Sequence, residues 1–480
     1  MTTRQGPRAI PSEEALESAE QPESAVDASI KDTLRIAARI LAPTVLTGVI
    51  KRRPQIMALA QKLQTDRSAV RLHGELRHRY GDRPLHLRIP GRSVNLALSP
   101  EAVGTALAGT PSPFSPATRE KKAALGKFQP HGVLISEGPE RTARRELNES
   151  VLEPGRAVHE LAEPWARAVA AQAGEMLETG TLDWDTFNIG WWRIVRQVTL
   201  GGDTAEDREL TDLLTPLRQA GNWAYAGPRR RHLRKRFLEL ARRQVALRRP
   251  GSLAAALATA PAAEQLDPAG QLPHWLFAFD AAGIVAFRTL ALLAAHPGHL
   301  AAIRAELGDA DLSAPQQLPK TRASVLESVR LWPTTPALLR ETRGETAWGP
   351  DRTTVFVYTP YFHRDAESLP YADSFEPEIW LDGRAAGNPA LVPFSGGPGA
   401  CPGRDVVLFM TSMLLANLVR EHDIQPSGVS LTPGKLPLTL DNFGLRYQVQ
   451  HAAPKRHSRP HLGADGSLDT AGVVGGDDRT

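Results

Sequence analysis

Cysteine is nearly absent from this chain. A single thiol, Cys401, occurs in 480 residues, which excludes an internal disulfide and any zinc site built from several cysteines. Charge of one sign is scarce as well. Lys and Arg number 57 against 53 Asp and Glu, a formal net charge of +4. With no recognised binding motif, so small an excess argues against a nucleic-acid partner. No unit recurs at a fixed period, which excludes a solenoid. Long uncharged apolar runs are missing near the start. Residues 1–30 are polar and acid-rich (Glu13, Glu14, Glu17, Glu20, Glu23, Asp27) and read as a disordered tail without a signal peptide. The uncharged stretch 40–50 is too short to span a bilayer. It reads as a packed or amphipathic leader with no stable membrane insertion. Residues 456–480, rich in Gly, Asp, Ser and Arg, read as a second disordered tail. The expectation is a cytoplasmic protein with one domain over 31–455.

Helical patterning fills most of that domain. Extended patches interrupt it at 85–98, where Leu85, Leu87, Ile89 and then Val94, Leu96, Leu98 alternate, and at 354–358. Residues 436–440 and 444–449 read as a hairpin around Asp441, Asn442 and Phe443. The segment from Leu276 to Leu293 is hydrophobic almost all round, the mark of a helix inside a large core. Asp280 and Arg288 within it argue against a membrane span. An isolated carboxyl in such a helix must find a partner, meet water or be protonated, so Asp280 is a candidate functional residue.

The thiol lies in Phe394-Ser395-Gly396-Gly397-Pro398-Gly399-Ala400-Cys401-Pro402-Gly403. Gly and Pro at this density force a tight loop whose backbone can approach a flat partner closely. A helix follows from Arg404 to about Arg420, and a sulfur ahead of a helix start is expected to favour the thiolate. A thiolate against a flat apolar cavity is the arrangement that ligates haem iron.

The loop resembles the haem signature F-x-x-G-x-[RH]-x-C-x-G of the cytochromes P-450, with Phe394, Gly397, Cys401 and Gly403 in register. Gly399 stands where that family carries an Arg or His that reaches a haem propionate. Glu327-Ser328-Val329-Arg330, followed by Leu331-Trp332-Pro333 and Arg340-Glu341-Thr342, looks like the family's E-x-x-R helix and the basic residue beyond it. The resemblance makes Glu327 and Arg330 a buried structural pair and Arg340 a propionate ligand. Phe375-Glu376-Pro377-Glu378-Ile379-Trp380 is similar to the family's P-E-R-[FW] stretch, but Ile379 occupies the Arg position; Arg384 is the candidate substitute. The helix from Gly138 resembles the one that carries [WH]-x-x-x-R to the propionates, with Arg141 and Arg145 at those two positions. The central helix is similar to [AG]-G-x-[DE]-T in the register that makes Asp280 the acid and puts Ala281 in place of Thr. A second register, with Ala282-Gly283 on the A-G pair, loses both acid and alcohol.

The resemblance covers about residues 60–452. It implies a mainly α fold with small β-sheets, the triangular cytochrome P-450 fold, with haem b held through Cys401. The implied activity is a haem-thiolate monooxygenase that hydroxylates or oxidatively couples a small apolar or aromatic secondary metabolite. Electrons would come from a ferredoxin-type donor with its reductase, since no reductase or flavodoxin segment is fused. The pocket is assigned to Phe277, Ala278, Ala281, Ala337, Leu338 and Phe443, with neighbours in 111–133. The family's Thr hydroxyl helps deliver a proton during dioxygen activation. With Ala281 there, a substrate hydroxyl or ordered water takes its place, or the enzyme works without activating dioxygen, as a peroxygenase, isomerase or group-transfer catalyst. A haem-binding relative without turnover is the third reading. The basic run from Arg229 to Arg236 reads as a solvated helix face or a docking surface for an acidic partner.

Overall fold

Alternation of buried and exposed side chains builds the first hairpin. Leu85 and Leu87 are wholly buried while Arg88 faces out, the period of two that a half-buried strand requires. In the computed structural model, which describes residues 24–452 apart from 262 and 430, strand β1 is Val26–Asp27, β2 Leu85–Ile89, β3 Arg92–Leu96, β4 Phe114–Ser115 and β5 Thr181–Asp183. Further along, β6 is Ala337–Thr342, β7 Thr354–Tyr358, β8 His422–Pro426 and β9 Arg446–His451. One sheet has the order β1-β2-β3-β7-β6-β4 and a second the order β5-β9-β8. The β2–β3 pair turns on Pro90 and Gly91, whose φ of +70° suits glycine.

Two expectations are corrected here. The N-terminal tail was placed over 1–30, yet Val26–Asp27 pairs in parallel with Leu85 and His86, so the ordered chain begins before residue 30. Most of that tail, and the tail at 456–480, lie outside the described residues. The hairpin of 436–440 with 444–449 does not form. Pro437 has no N–H to give a ladder, and side chains intercept the backbone donors around it: Gln64 Oε1 accepts from Leu438 and Thr439, and Gln61 Oε1 from Asp441. β9 pairs instead with β5 and β8.

Helices supply the rest. Those that build the site are α1 (Gly138–Leu152), α2 (Trp184–Leu200), α3 (Glu209–Gly221), α4 (Leu272–Ala295), α5 (Pro319–Leu331) and α6 (Arg404–Val419). α4 is 24 residues long and apolar enough to cross a membrane, but it runs buried through the protein. Its Gly283 admits α2: a Cβ there would stand 2.7 Å from the Trp191 ring, whose indole N–H donates to the Phe279 carbonyl at 2.8 Å. α5 and α6 pack beside α4 in one large helical core, and a second core lies under the six-stranded sheet. The leader is helical, with Ile36 and Ile40 buried in the core while Ile30 and Leu34 stay exposed.

Candidate functional site

The buried pair Glu327–Arg330 anchors the route to the thiol. Both side chains are fully buried on α5, and Arg330 donates from Nε and Nη2 to the two carboxylate oxygens at 2.8 and 2.6 Å. Its remaining donors go to the carbonyls of His363, Ala372, Tyr371 and Ser374. Glu327 in turn accepts from the Glu376 N–H at 2.9 Å and from the Trp380 indole N–H at 3.0 Å. The third partner is therefore Trp380, not Arg384. Arg384 lies exposed and pairs with Asp382 and Glu376, while Ile379 is buried in a small apolar cluster. An ion pair out of water needs every lone pair satisfied, and an indole N–H does that without adding charge.

The thiol loop is closed by its own backbone: the Cys401 N–H donates to the Phe394 carbonyl at 2.9 Å. Phe394 packs on the helical core. Gly397 has φ +59°, and a Cβ there would meet the Leu107 carbonyl oxygen at 2.4 Å, so glycine is required. Gly403 is different, because a Cβ would meet only Leu152 at 3.8 Å. At Gly399 a Cβ would stand 2.8 Å from Nη2 of Arg340. The Arg340 guanidinium thus occupies the space that the missing basic side chain would enter. Burial pushes the Cys401 thiol up, and the N–H groups of Gly403 and Arg404 with Arg145 offset this only in part. A thiolate here needs a cation in front of the sulfur.

Cations gather beside it. Arg340 is held by Thr110 Oγ1 at 2.8 Å and Ser395 Oγ at 3.3 Å. Burial, reinforced by Arg141, pushes its pKa down to about 10. Burial also lowers Lys121 well below its usual range, with Arg340 and Arg141 adding to the shift; its ammonium donates to the Pro116 and Leu339 carbonyls. Arg141, on α1, is buried, and its Nε has no acceptor. Arg145 braces the loop, donating to the Ala400 carbonyl at 2.7 Å and to Glu149. Two buried guanidiniums and a half-buried ammonium side by side, one guanidinium short of an acceptor, fit a ligand bearing carboxylates.

Opposite, α4 presents a stripe. His274, Phe277, Ala278 and Ala281 keep accessible surface, while Trp275, Leu276, Phe279, Asp280 and Ala282 around them are buried. Spacings of three and four put the stripe on one helix face, and Lys121, which feels Arg340 and Arg141 and itself acts on His274, lies between that face and the thiol side. Ala281 lies on that accessible face. Gly283, the key to the other register, faces Trp191. Phe277 packs edge-on against Phe128 at 5.8 Å. Ala337 and Leu338 are half-buried at the start of β6, and Phe443 packs on Trp184 in an aromatic cluster with Phe287.

Asp280 has two partners that no motif announced. Arg218 of α3 donates to Oδ2 at 2.6 Å, and Lys51 donates to Oδ1 at 3.1 Å. Burial pushes this carboxyl up, but Arg218 and Lys51 outweigh it and hold it well below the usual carboxylate range. Sequence reading also missed Lys121, His274 and Trp380. For His274 the signal was present: it lies three, four and seven residues before Phe277, Ala278 and Ala281. Among the described residues, no group of three or more His, Cys, Asp or Glu could hold a metal.

Comparison with known proteins agrees with this geometry. A family model described as Cytochrome P450 matches residues 283–440, which include Glu327, Arg330 and Cys401. The chain is 33% identical over 135 residues to a probable cytochrome P450 4d20 of Drosophila melanogaster, 26% of each chain. It is 31% identical over 147 residues to cyclooctat-9-en-7-ol 5-monooxygenase of Streptomyces melanosporofaciens, 28% of this chain and 32% of that one. It is 33% identical over 146 residues to sugiol synthase of Salvia miltiorrhiza, 27% of this chain and 30% of the relative. The matches thus span about a third or less of these relatives' length. Among solved structures, the haem domain of cytochrome P450DA superposes with a TM-score of 0.64 at 18% identity, covering 81% of this chain and 92% of the other. The fold is that of a P450 haem domain, and the cations, thiol loop and apolar stripe suit haem.

Proposed function

Because the chain belongs to the cytochrome P450 family, we propose that it is a haem-thiolate monooxygenase acting on a small apolar or aromatic secondary metabolite. The observation that carries the reading is that Arg340 and Arg145 close on the Cys401 loop through Ser395 and Ala400, with Arg141 and the half-buried Lys121 beside Arg340. Haem bound there supplies the reductive activation of dioxygen and the transfer of one oxygen atom to substrate. In that setting Cys401 is the iron ligand. Arg141, Arg340 and Lys121 hold the propionates, and Arg145 keeps the loop in place. Phe277, Ala278, Ala337 and Leu338 exclude water and present an apolar wall, with Phe443 at its edge.

The proton supply departs from the family pattern. Ala281 has no proton to relay, and Asp280 is tied to two cations. A substrate hydroxyl or an ordered water takes the relay position, which makes turnover depend on substrate fit. The relative named cyclooctat-9-en-7-ol 5-monooxygenase supports a hydrocarbon-rich substrate. A ferredoxin-type donor with its reductase delivers the electrons, in the cytoplasm.

The same Ala281 favours a second reading, an enzyme that does not activate dioxygen: a peroxygenase, isomerase or group-transfer catalyst. Incubation with a panel of terpene alcohols and phenols separates the two. Product formed with NADPH, ferredoxin and ferredoxin reductase supports the monooxygenase. Product formed with peroxide, or without any reductant, assigns the second reading. Ligand-induced spectral shifts without product identify a haem-binding relative.

A further inference from the structure

His274 has a role still unassigned. It lies on the accessible face of α4, seven residues before Ala281, roughly 10 Å along the axis at about 1.5 Å per residue. Its Nδ1 is 3.1 Å from Oε1 of Gln129. With the Gln129 amide oriented so that Oε1 faces the ring, Nδ1 carries the proton and Nε2 is left as a bare acceptor. Gln129 is fully buried, and Gly132 lies close against its side chain, so the partner that sets the tautomer is itself fixed. Among the described residues Nε2 has no hydrogen-bond partner, while the ring retains accessible surface and lies beside Phe277 at 6.1 Å. Every other residue of the stripe is apolar.

We propose that Nε2 of His274 is a substrate anchor, selecting an apolar molecule that carries one hydroxyl or N–H donor roughly 10 Å from the position held against Ala281. The placement of the oxidised carbon near Ala281 rests on the monooxygenase reading; the anchor itself does not. The imidazole stays neutral at ordinary pH, because burial, with Lys121 nearby, pushes its pKa down to about 4. An acceptor in an apolar wall discriminates sharply, since a ligand without a donor leaves it unpaired.

The test uses the holoprotein and three probes of one shape: biphenyl-4-ol, which donates; 4-methoxybiphenyl, which cannot; and biphenyl. Binding is measured by calorimetry and in parallel by the haem difference spectrum. Wild type should bind the phenol about fivefold to tenfold more tightly than the ether, the worth of one hydrogen bond. His274→Phe should bring that ratio close to one without weakening biphenyl. Gln129→Leu, which frees the tautomer, should shrink the ratio as well. A merely structural role would shift all three ligands together. Equal binding of phenol and ether by wild type, tighter binding of the ether, binding of neither, or a ratio preserved in His274→Phe would overturn the anchor. A phenol preference by calorimetry with no haem spectral response would keep the anchor and remove the monooxygenase reading.

Discussion

Removing Arg218 should unfasten Asp280 from its place in α4. The two side chains are 2% and 8% exposed, and their contact is 2.6 Å. Breaking such a pair from one side costs about 3–5 kcal/mol, because the other charge is left buried. Lys51 still reaches Oδ1 at 3.1 Å, but it is 30% exposed and worth about 1 kcal/mol or less. Arg218→Met keeps most of the packing over Phe277 and should therefore cost about 3 kcal/mol. Asp280→Asn should cost a similar amount, since it leaves two cations facing a neutral amide. The double variant removes both charges, so its cost should fall short of the sum by about 2 kcal/mol. Urea denaturation of the four holoproteins at neutral pH measures this coupling. A coupling below about 0.5 kcal/mol would refute the claim that Arg218 holds Asp280. The pH dependence follows the same logic. The folded carboxyl titrates below its ordinary value of 3.8, so the pair's contribution is complete above that value and is lost as pH falls through the lower folded pKa. Wild type should lose stability relative to Asp280→Asn only in that acid range, and a divergence near neutrality would contradict the assignment.

Trp380→Phe deletes one hydrogen bond to the buried Glu327 carboxylate and should cost about 1.5–3 kcal/mol, with haem released at lower urea than in wild type; an unchanged midpoint would sink Trp380 as the third partner. Gly397→Ala forces a Cβ against the Leu107 backbone at positive φ and should cost about 2 kcal/mol or more. Gly399→Ala meets side-chain atoms, the end of Arg340 and the Thr110 methyl, and no backbone, and should stay within about 1 kcal/mol in stability while weakening haem retention; equal effects at the two glycines would be contrary evidence. Ala281→Thr restores a hydroxyl to the stripe, and the fraction of reductant consumed that yields product should rise several-fold. Loss of activity there, read by the same product-to-NADPH ratio, would instead mean that substrate fills that space.

Motifs tied to local geometry were legible in the sequence. The Cys401 loop, the Glu327–Arg330 pair and the buried central helix each follow from spacing within one element. What escaped was contact between distant elements. Arg218 and Lys51 lie 62 and 229 residues from Asp280, and nothing in their own segments points to α4. Trp380 escaped for a different reason: its place was readable, but the lost Arg suggested another cation, whereas a buried pair already neutral needed only a donor. The hairpin at 436–449 failed because apolar alternation says nothing about Gln61 and Gln64, which capture the backbone donors of Leu438, Thr439 and Asp441 from 374 to 380 residues earlier. The thiol's state also depends on more than its helix start, since burial outweighs the N–H groups at α6.

That last point makes the state of the sulfur the most direct test of the whole account. The absorption spectrum of the reduced, carbon monoxide-bound protein reports it, with Cys401→Ser as the reference. A strongly red-shifted Soret band in wild type, absent from the variant, is the predicted result: haem present and Cys401 ligated as thiolate despite its burial. A Soret band at the ordinary position would mean a protonated or displaced sulfur, and the absence of any haem band would contradict the catalytic site itself.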